Sequence, residues 1–224
     1  METTPSKTAS HTEVVLLSDY LKCIPGLFVH IRDETASMTD FKRYADRIMH
    51  LIVEEGLAYI SNQSTISITT PTKHVVTGST NNCSNIVGVS IIRAGDSMLD
   101  VFMNLVPEAS IGKILIQRDE ATCQPVLFYD KLPYLIDKIV IILDPMLATG
   151  GSAMTAIQVL LDRGALESNI YFFNVVSCPE GIDNIHSKYP SVKIISATMD
   201  TGLNEQKYII PGLGDYGDRY FGTQ

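Results

Sequence analysis

VIILDPMLATGGSA, Val140 to Ala153, is the stretch on which the fold turns. Val140, Ile141, Ile142 and Leu143 are apolar without a break. Strand side chains alternate between two faces, so such a run predicts a strand buried on both. It ends on Asp144, and Pro145-Met146-Leu147-Ala148 lead to Thr149-Gly150-Gly151-Ser152. A helical pattern follows in SAMTAIQVLLDRG, closed by Gly164. Strand, glycine-rich turn and helix start together make an anion cradle. Glycines let backbone N–H groups approach, hydroxyls add donors, and the helix N-terminus favours negative charge. The loop is not G-x-x-x-x-G-K-[ST], so a nucleoside-triphosphate kinase is disfavoured. A carboxylate beside a phosphate repels it, unless it holds sugar hydroxyls or faces developing positive charge. A ribose phosphate meets both conditions.

The same rhythm extends on either side. IVGVSII, KILIQ, NIYFFNVVS and VKIISA read as strands, while DSMLDVFMNL and GIDNIHSKY read as helices. This alternation predicts an α/β fold, with a mainly parallel sheet flanked by helices. Upstream, Phe41, Tyr44, Ala45, Ile48 and Ile52 recur at helical spacing, with Thr39 or Asp40 as cap and Gly56 as stop. TISITTPT and HVVTG read as a small β-arm or hairpin outside the main sheet. The tail YIIPGLGDYGDRYFGTQ is glycine-rich and reads as structured but not helical. Residues 1–13 read as a flexible polar tail and 14–224 as a single domain.

Bulk properties narrow the classes. The chain has 224 residues, is 45% hydrophobic and carries a formal net charge of −8. An acidic chain without a basic stripe argues against a nucleic-acid surface. No apolar run is long enough to span a membrane. Cys23, Cys83, Cys123 and Cys178 form no C-x-x-C pair, which favours reduced thiols in a cytoplasmic protein over a zinc or redox site.

In open parallel sheets, ligands bind beyond the carboxyl ends of the strands. Three segments stand there: Arg93-Ala94-Gly95, Arg118-Asp119-Glu120, and Asp144 through Ser152. Arginines make bidentate contacts to phosphate, so two of them plus a separate cradle suggest a substrate phosphorylated at both ends. Surface ion pairs are the plainer role for either arginine.

VIILDPMLATGGSA resembles the 5-phosphoribosyl-1-diphosphate (PRPP) motif of type I phosphoribosyltransferases. DPMLATGGS, GKILIQRDE and YIIPGLGDYGDRYFGT together resemble the uracil phosphoribosyltransferases. The similarity runs from Ile31, through RDETASMTDF and YADRIMHLIVEEGL, to the C-terminus. It implies a pentosyltransferase that makes UMP and pyrophosphate from PRPP and uracil, with Mg²⁺ bound through PRPP. It implies that Ala148, Thr149, Gly150, Gly151 and Ser152 bind the 5′-phosphate, that Asp144 holds the ribose hydroxyls, that Arg93 and Arg118 contact the pyrophosphate, and that Pro145, Met146, Leu147 and Asp215 complete the PRPP site. Ile209, Gly214, Asp215 and Tyr216 would hold uracil, in a C-terminal base-binding loop. Asp144 and Asp215 are the catalytic candidates. Asp215 would steady or remove the proton on the attacking nitrogen, contact magnesium, or only cap the loop. Homodimers or homotetramers are usual in the family, and some members respond to GTP, for which Arg32 and Asp33 are the candidates here. Where many type I enzymes carry two adjacent acids, this chain has Asp144-Pro145. Two other readings share these residues. One is a regulator that binds the ligand without turnover. The other is a transferase for another base, against which only the tail argues.

Overall fold

The computed structural model describes residues 13–60, 63–81, 83–118 and 125–223. The first elements are β1 (Val14–Leu16), α1 (Ile24–Arg32) and α2 (Met38–Tyr59). A hairpin of β2 (Gln63–Thr69) and β3 (Val75–Asn81) follows. The central alternation comprises β4 (Ile86–Ile92), α3 (Asp96–Leu105), β5 (Ser110–Arg118), β6 (Pro125–Lys131), β7 (Ile139–Leu143), β8 (Met146–Leu147) and α4 (Gly151–Asp162). It continues through β9 (Ile170–Ser177), α5 (Pro179–Lys188) and β10 (Lys193–Met199). β11 (Gly202–Leu203), β12 (Ile209–Ile210) and α6 (Tyr216–Phe221) complete the described chain.

The main sheet has the order β1-β10-β9-β7-β4-β5-β6, with β8 also pairing with β9. Its pairs are parallel except β5 with β6. The alternation of β7 builds both cores. Ile141 and Leu143 join α1, α2 and α3 on one face. Val140 and Ile142 join α4 and α5 on the other. From β4 the chain crosses over α3 to β5 on one side, whereas from β7 it crosses over α4 and α5 toward β9 and β10 on the other. The winding direction therefore reverses between β4 and β7. Loops leaving two such strands diverge and open a crevice at their carboxyl ends. The segments after Ile92 and after Leu143 both start there.

Four readings of the sequence need correction or addition. Helix α2 is capped by Ser37, whose hydroxyl accepts from the Asp40 amide at 3.1 Å, and not by Thr39 or Asp40. Gly56 does not stop it. The glycine lies inside the helix, where a Cβ would stand 2.2 Å from the Phe173 ring, so it allows α2 to lie close on β9. The tail does contain a helix, α6, capped by Asp215 and ended by Gly222 in the left-handed region (φ +67°). Its six residues are too few to show a helical period. β6 is an antiparallel edge strand that the parallel alternation did not anticipate. Apart from Glu13, the segment expected as a tail lies outside the described residues.

Candidate active site

The β7–α4 segment forms a cradle at the crevice. Gly150 has φ +80°, a conformation that glycine adopts without a Cβ penalty. The N-cap residue of α4, Gly150, offers no side chain, so the first-turn amides of Ser152 and Ala153 lack the usual cap partner, while the Gly151 amide donates to Thr149 Oγ1 at 3.5 Å. A cavity of about 60 Å³ lies here, lined by Asp144 and by every residue from Met146 to Ala153. Pro145 does not line it. The Pro145 carbonyl accepts from the amides of Val175 and Val176, which ties the loop to β9.

Asp144 is only partly exposed, and the protein around it removes water from its carboxyl. Burial pushes its pKa up to about 7, against the opposing pull of a bond from the Met146 amide. Among the described residues, no cation forms an ion pair with it. No group of three or more His, Cys, Asp or Glu is placed to hold a metal among those residues. A lone carboxylate beside a glycine-rich loop offers too few ligands for an all-protein metal cage and would suit an Mg²⁺ that keeps most of its ligands from substrate and water.

A second cavity of about 310 Å³ adjoins the first and shares Met146 and Ala148 with it. Ile209, Gly214, Asp215 and Tyr216, separated by up to seven positions in the chain, all line it. Asp215 caps α6 through a 2.9 Å bond from the Asp218 amide. The Tyr216 phenol points to the core and meets the Met49 sulfur at 3.4 Å. Gln206, Lys207 and Tyr208 at the β11–β12 turn also line the cavity. Sequence reasoning missed these three. The only sign of them was a polar turn between two very short strands.

Arg93 follows β4, beside the second cavity. Its guanidinium donates to Asp218 Oδ1 and to Thr223 Oγ1, each at 2.6 Å. Asp218 Oδ1 also accepts from the Thr223 hydroxyl at 2.7 Å, and the bonds from Thr223 and then Arg93 hold the Asp218 carboxyl below its ordinary range. A Cβ on Gly217 would stand 3.1 Å from the guanidinium. Gly95 sits so close to β7 that a Cβ would meet the Leu143 carbonyl at 2.2 Å. Asp96 accepts from Ser90 (2.7 Å) and Lys113 (3.0 Å), fastening the start of α3 to β4 and β5. Arg118 is the last residue of β5, with its backbone paired to Pro125. Asp119 and Glu120 lie outside the described residues.

The base-side loop is tied to the N-terminal helices by two arginines. Arg32 makes a bidentate pair with Asp200 (2.6 and 2.9 Å) and donates to the Gly212 carbonyl at 2.6 Å. Arg219 donates to the carbonyls of Ile31 and Leu213, both at 2.6 Å, and to that of Asp33. Asp33 also accepts from Thr35. The two residues considered for GTP are thus engaged in holding this loop.

The family model for uracil phosphoribosyltransferase matches residues 21–223. The chain belongs to the uracil phosphoribosyltransferase family. It is 50% identical to a uracil phosphoribosyltransferase of Dictyostelium discoideum over 212 residues, covering 94% of this chain and 96% of that one. It is 47% identical to the Saccharomyces cerevisiae uracil phosphoribosyltransferase, with 88% and 90% covered. A solved structure of a protein from Aquifex aeolicus superposes with a TM-score of 0.82 at 32% identity, covering 94% of this chain and 99% of that one. The uracil phosphoribosyltransferase signature thus spans both cavities, and no helix among the described residues is long and apolar enough to cross a membrane.

Proposed function

We propose that the paired cavities carry out the family reaction, transfer of the 5-phosphoribosyl group from PRPP to uracil with release of pyrophosphate. The observation that carries this reading is their contiguity. A cradle at the first turn of α4 adjoins a larger pocket lined by the C-terminal loop, Asp215 included, and the two share Met146 and Ala148.

In this reading, the first-turn amides of α4 and the Thr149 and Ser152 hydroxyls bind the 5′-phosphate. Asp144 accepts from the ribose hydroxyls and favours the positive charge that develops on the sugar. The bond from C1′ to the pyrophosphate oxygen breaks, the bond from C1′ to the uracil nitrogen forms, and that nitrogen loses its proton. Asp215 is positioned to accept this proton directly or through one water. Arg93 and Arg118 neutralise the departing pyrophosphate. Mg²⁺, carried on PRPP beside Asp144, would supply further charge neutralisation. Positioning and electrostatic stabilisation then account for most of the rate. Backbone amides and carbonyls near Ile209 and Gly214 read the uracil edge, since they offer donors and acceptors together.

A homodimer or homotetramer, GTP activation and a cytoplasmic location belong to the same proposal. The deciding experiment offers PRPP and Mg²⁺ with uracil, hypoxanthine, guanine or orotate separately. UMP from uracil alone is the expected result. Turnover of another base would sink the reading of the C-terminal loop, and no turnover would sink the enzyme.

A further inference from the structure

Three successive carbonyls behind the phosphate cradle are all held from one side. The Leu147 carbonyl accepts from the Cys178 amide at 3.1 Å. The Ala148 carbonyl accepts from the Cys178 thiol at 3.1 Å. The Thr149 carbonyl accepts from Asn184 Nδ2 at 2.9 Å. All three donors come from α5 or its N-cap, an element outside the PRPP motif. Gly181, in the same helix, lies so close that a Cβ would meet the Ala148 carbonyl at 2.5 Å.

The peptides joining these residues are trans. In a planar trans peptide the C=O and the following N–H point in opposite directions. Holding the carbonyls of Leu147, Ala148 and Thr149 toward α5 therefore turns the amides of Ala148, Thr149 and Gly150 away from it, on the cradle side. Those three residues line the 60 Å³ cavity. Among the described residues, no acceptor is seen for their amides. Burial pushes the Cys178 thiol up to about 11, so it keeps its proton and stays a donor.

We infer that Cys178 and Asn184 are positioning residues for substrate: through the Leu147–Thr149 carbonyls they aim a nest of three amides at the 5′-phosphate, adding to the first turn of α4. This rests on the cradle being the 5′-phosphate site. Neither residue touches substrate. Each acts by fixing peptide orientation, and consecutive aimed amides are a recurrent way of binding phosphate.

The test uses two probes on the full chain, each followed by calorimetry. Ribose 5-phosphate carries the 5′-phosphate without the diphosphate, and magnesium pyrophosphate reports the other end. Asn184 is exposed, so its variants should fold, and a thermal melt checks this. Asn184→Ala should weaken ribose 5-phosphate by about five- to ten-fold, the value of one lost hydrogen bond, while magnesium pyrophosphate stays within about two-fold. Asn184→Asp should be worse for ribose 5-phosphate, because a carboxylate repels the Thr149 carbonyl. Cys178→Ala should weaken the same probe, and Cys178→Ser, which retains a donor, should recover it. Equal losses for both probes, or ribose 5-phosphate affinity within about two-fold in both Asn184 variants, would overturn the positioning role. If the wild type binds magnesium pyrophosphate but no ribose 5-phosphate, the cradle assignment itself falls, and this role with it.

Discussion

Asp144 is held by the fold in a setting that disfavours its charge. Its pKa of about 7 lies well above that of an ordinary aspartate in an unfolded chain. The folded state thus binds the proton more tightly. The stability this contributes is fully present below the ordinary carboxylate pKa and is lost as pH rises through about 7. Asp144→Asn removes that dependence. Urea unfolding should find the variant more stable than wild type at pH 8, by about 1–2 kcal/mol, with the gap closing toward pH 4. Catalysis should show the opposite preference, since only the carboxylate can accept two ribose hydroxyls. The kcat/KM for PRPP should fall as pH drops below about 7, and Asp144→Asn should flatten that limb at a much lower level. A limb that persists in the variant would assign it to another group.

At the scale of elements, the cap of α6 also lines a cavity. Asp215 caps the helix and lines the 310 Å³ cavity. Asparagine caps almost as well as aspartate but cannot take a proton. Asp215→Asn should therefore keep stability within about 0.5 kcal/mol while turnover drops by at least about ten-fold. Unchanged turnover would reduce Asp215 to a cap. Ser37 offers the contrast, as a cap that lines neither cavity. Ser37→Ala should lower stability by about 1 kcal/mol, seen as an earlier urea midpoint, with no change in the KM of either substrate. Both caps were open to reading from sequence. Asp215-Tyr216-Gly217-Asp218 has cap spacing, but the surrounding glycines argued for a loop. For α2, Thr39 and Asp40 lie nearer than Ser37 to Phe41, the first position of the apolar period, so the spacing points to them.

At the scale of the molecule, the C-terminal loop reaches its position through contacts that span most of the chain. Arg32 and Asp200 are 168 positions apart, and the Asp200 side chain is only 4% exposed. Removing the arginine leaves a buried carboxylate without its partner, a change that typically destabilises by about 3–5 kcal/mol. Arg32→Ala should thus lower the thermal midpoint. It should also raise the KM for uracil more than that for PRPP, because Gly212 and the base loop lose a fixed support while the α4 cradle keeps its own. A proportionate rise in both would show that the loop does not depend on this tie. The Arg93 contacts to Asp218 and Thr223 link the same tail to the loop after β4.

The local sequence determined the parts that depend on local physics. Unbroken apolar runs, helical spacing and glycines at forced turns showed the doubly covered parallel sheet, and the strand–glycine–helix order showed the cradle. Asp144 through Ser152 could be read together because they are neighbours in the chain. Only the tertiary structure decided what lies beside what. It placed the winding reversal between β4 and β7, set Cys178 and Asn184 behind the Leu147–Thr149 loop, and lined the larger cavity with Gln206, Lys207 and Tyr208. Those pairings follow from packing two layers of helices on one sheet. No short-range pattern encodes them, since each partner alone reads as an ordinary cysteine, asparagine or polar turn.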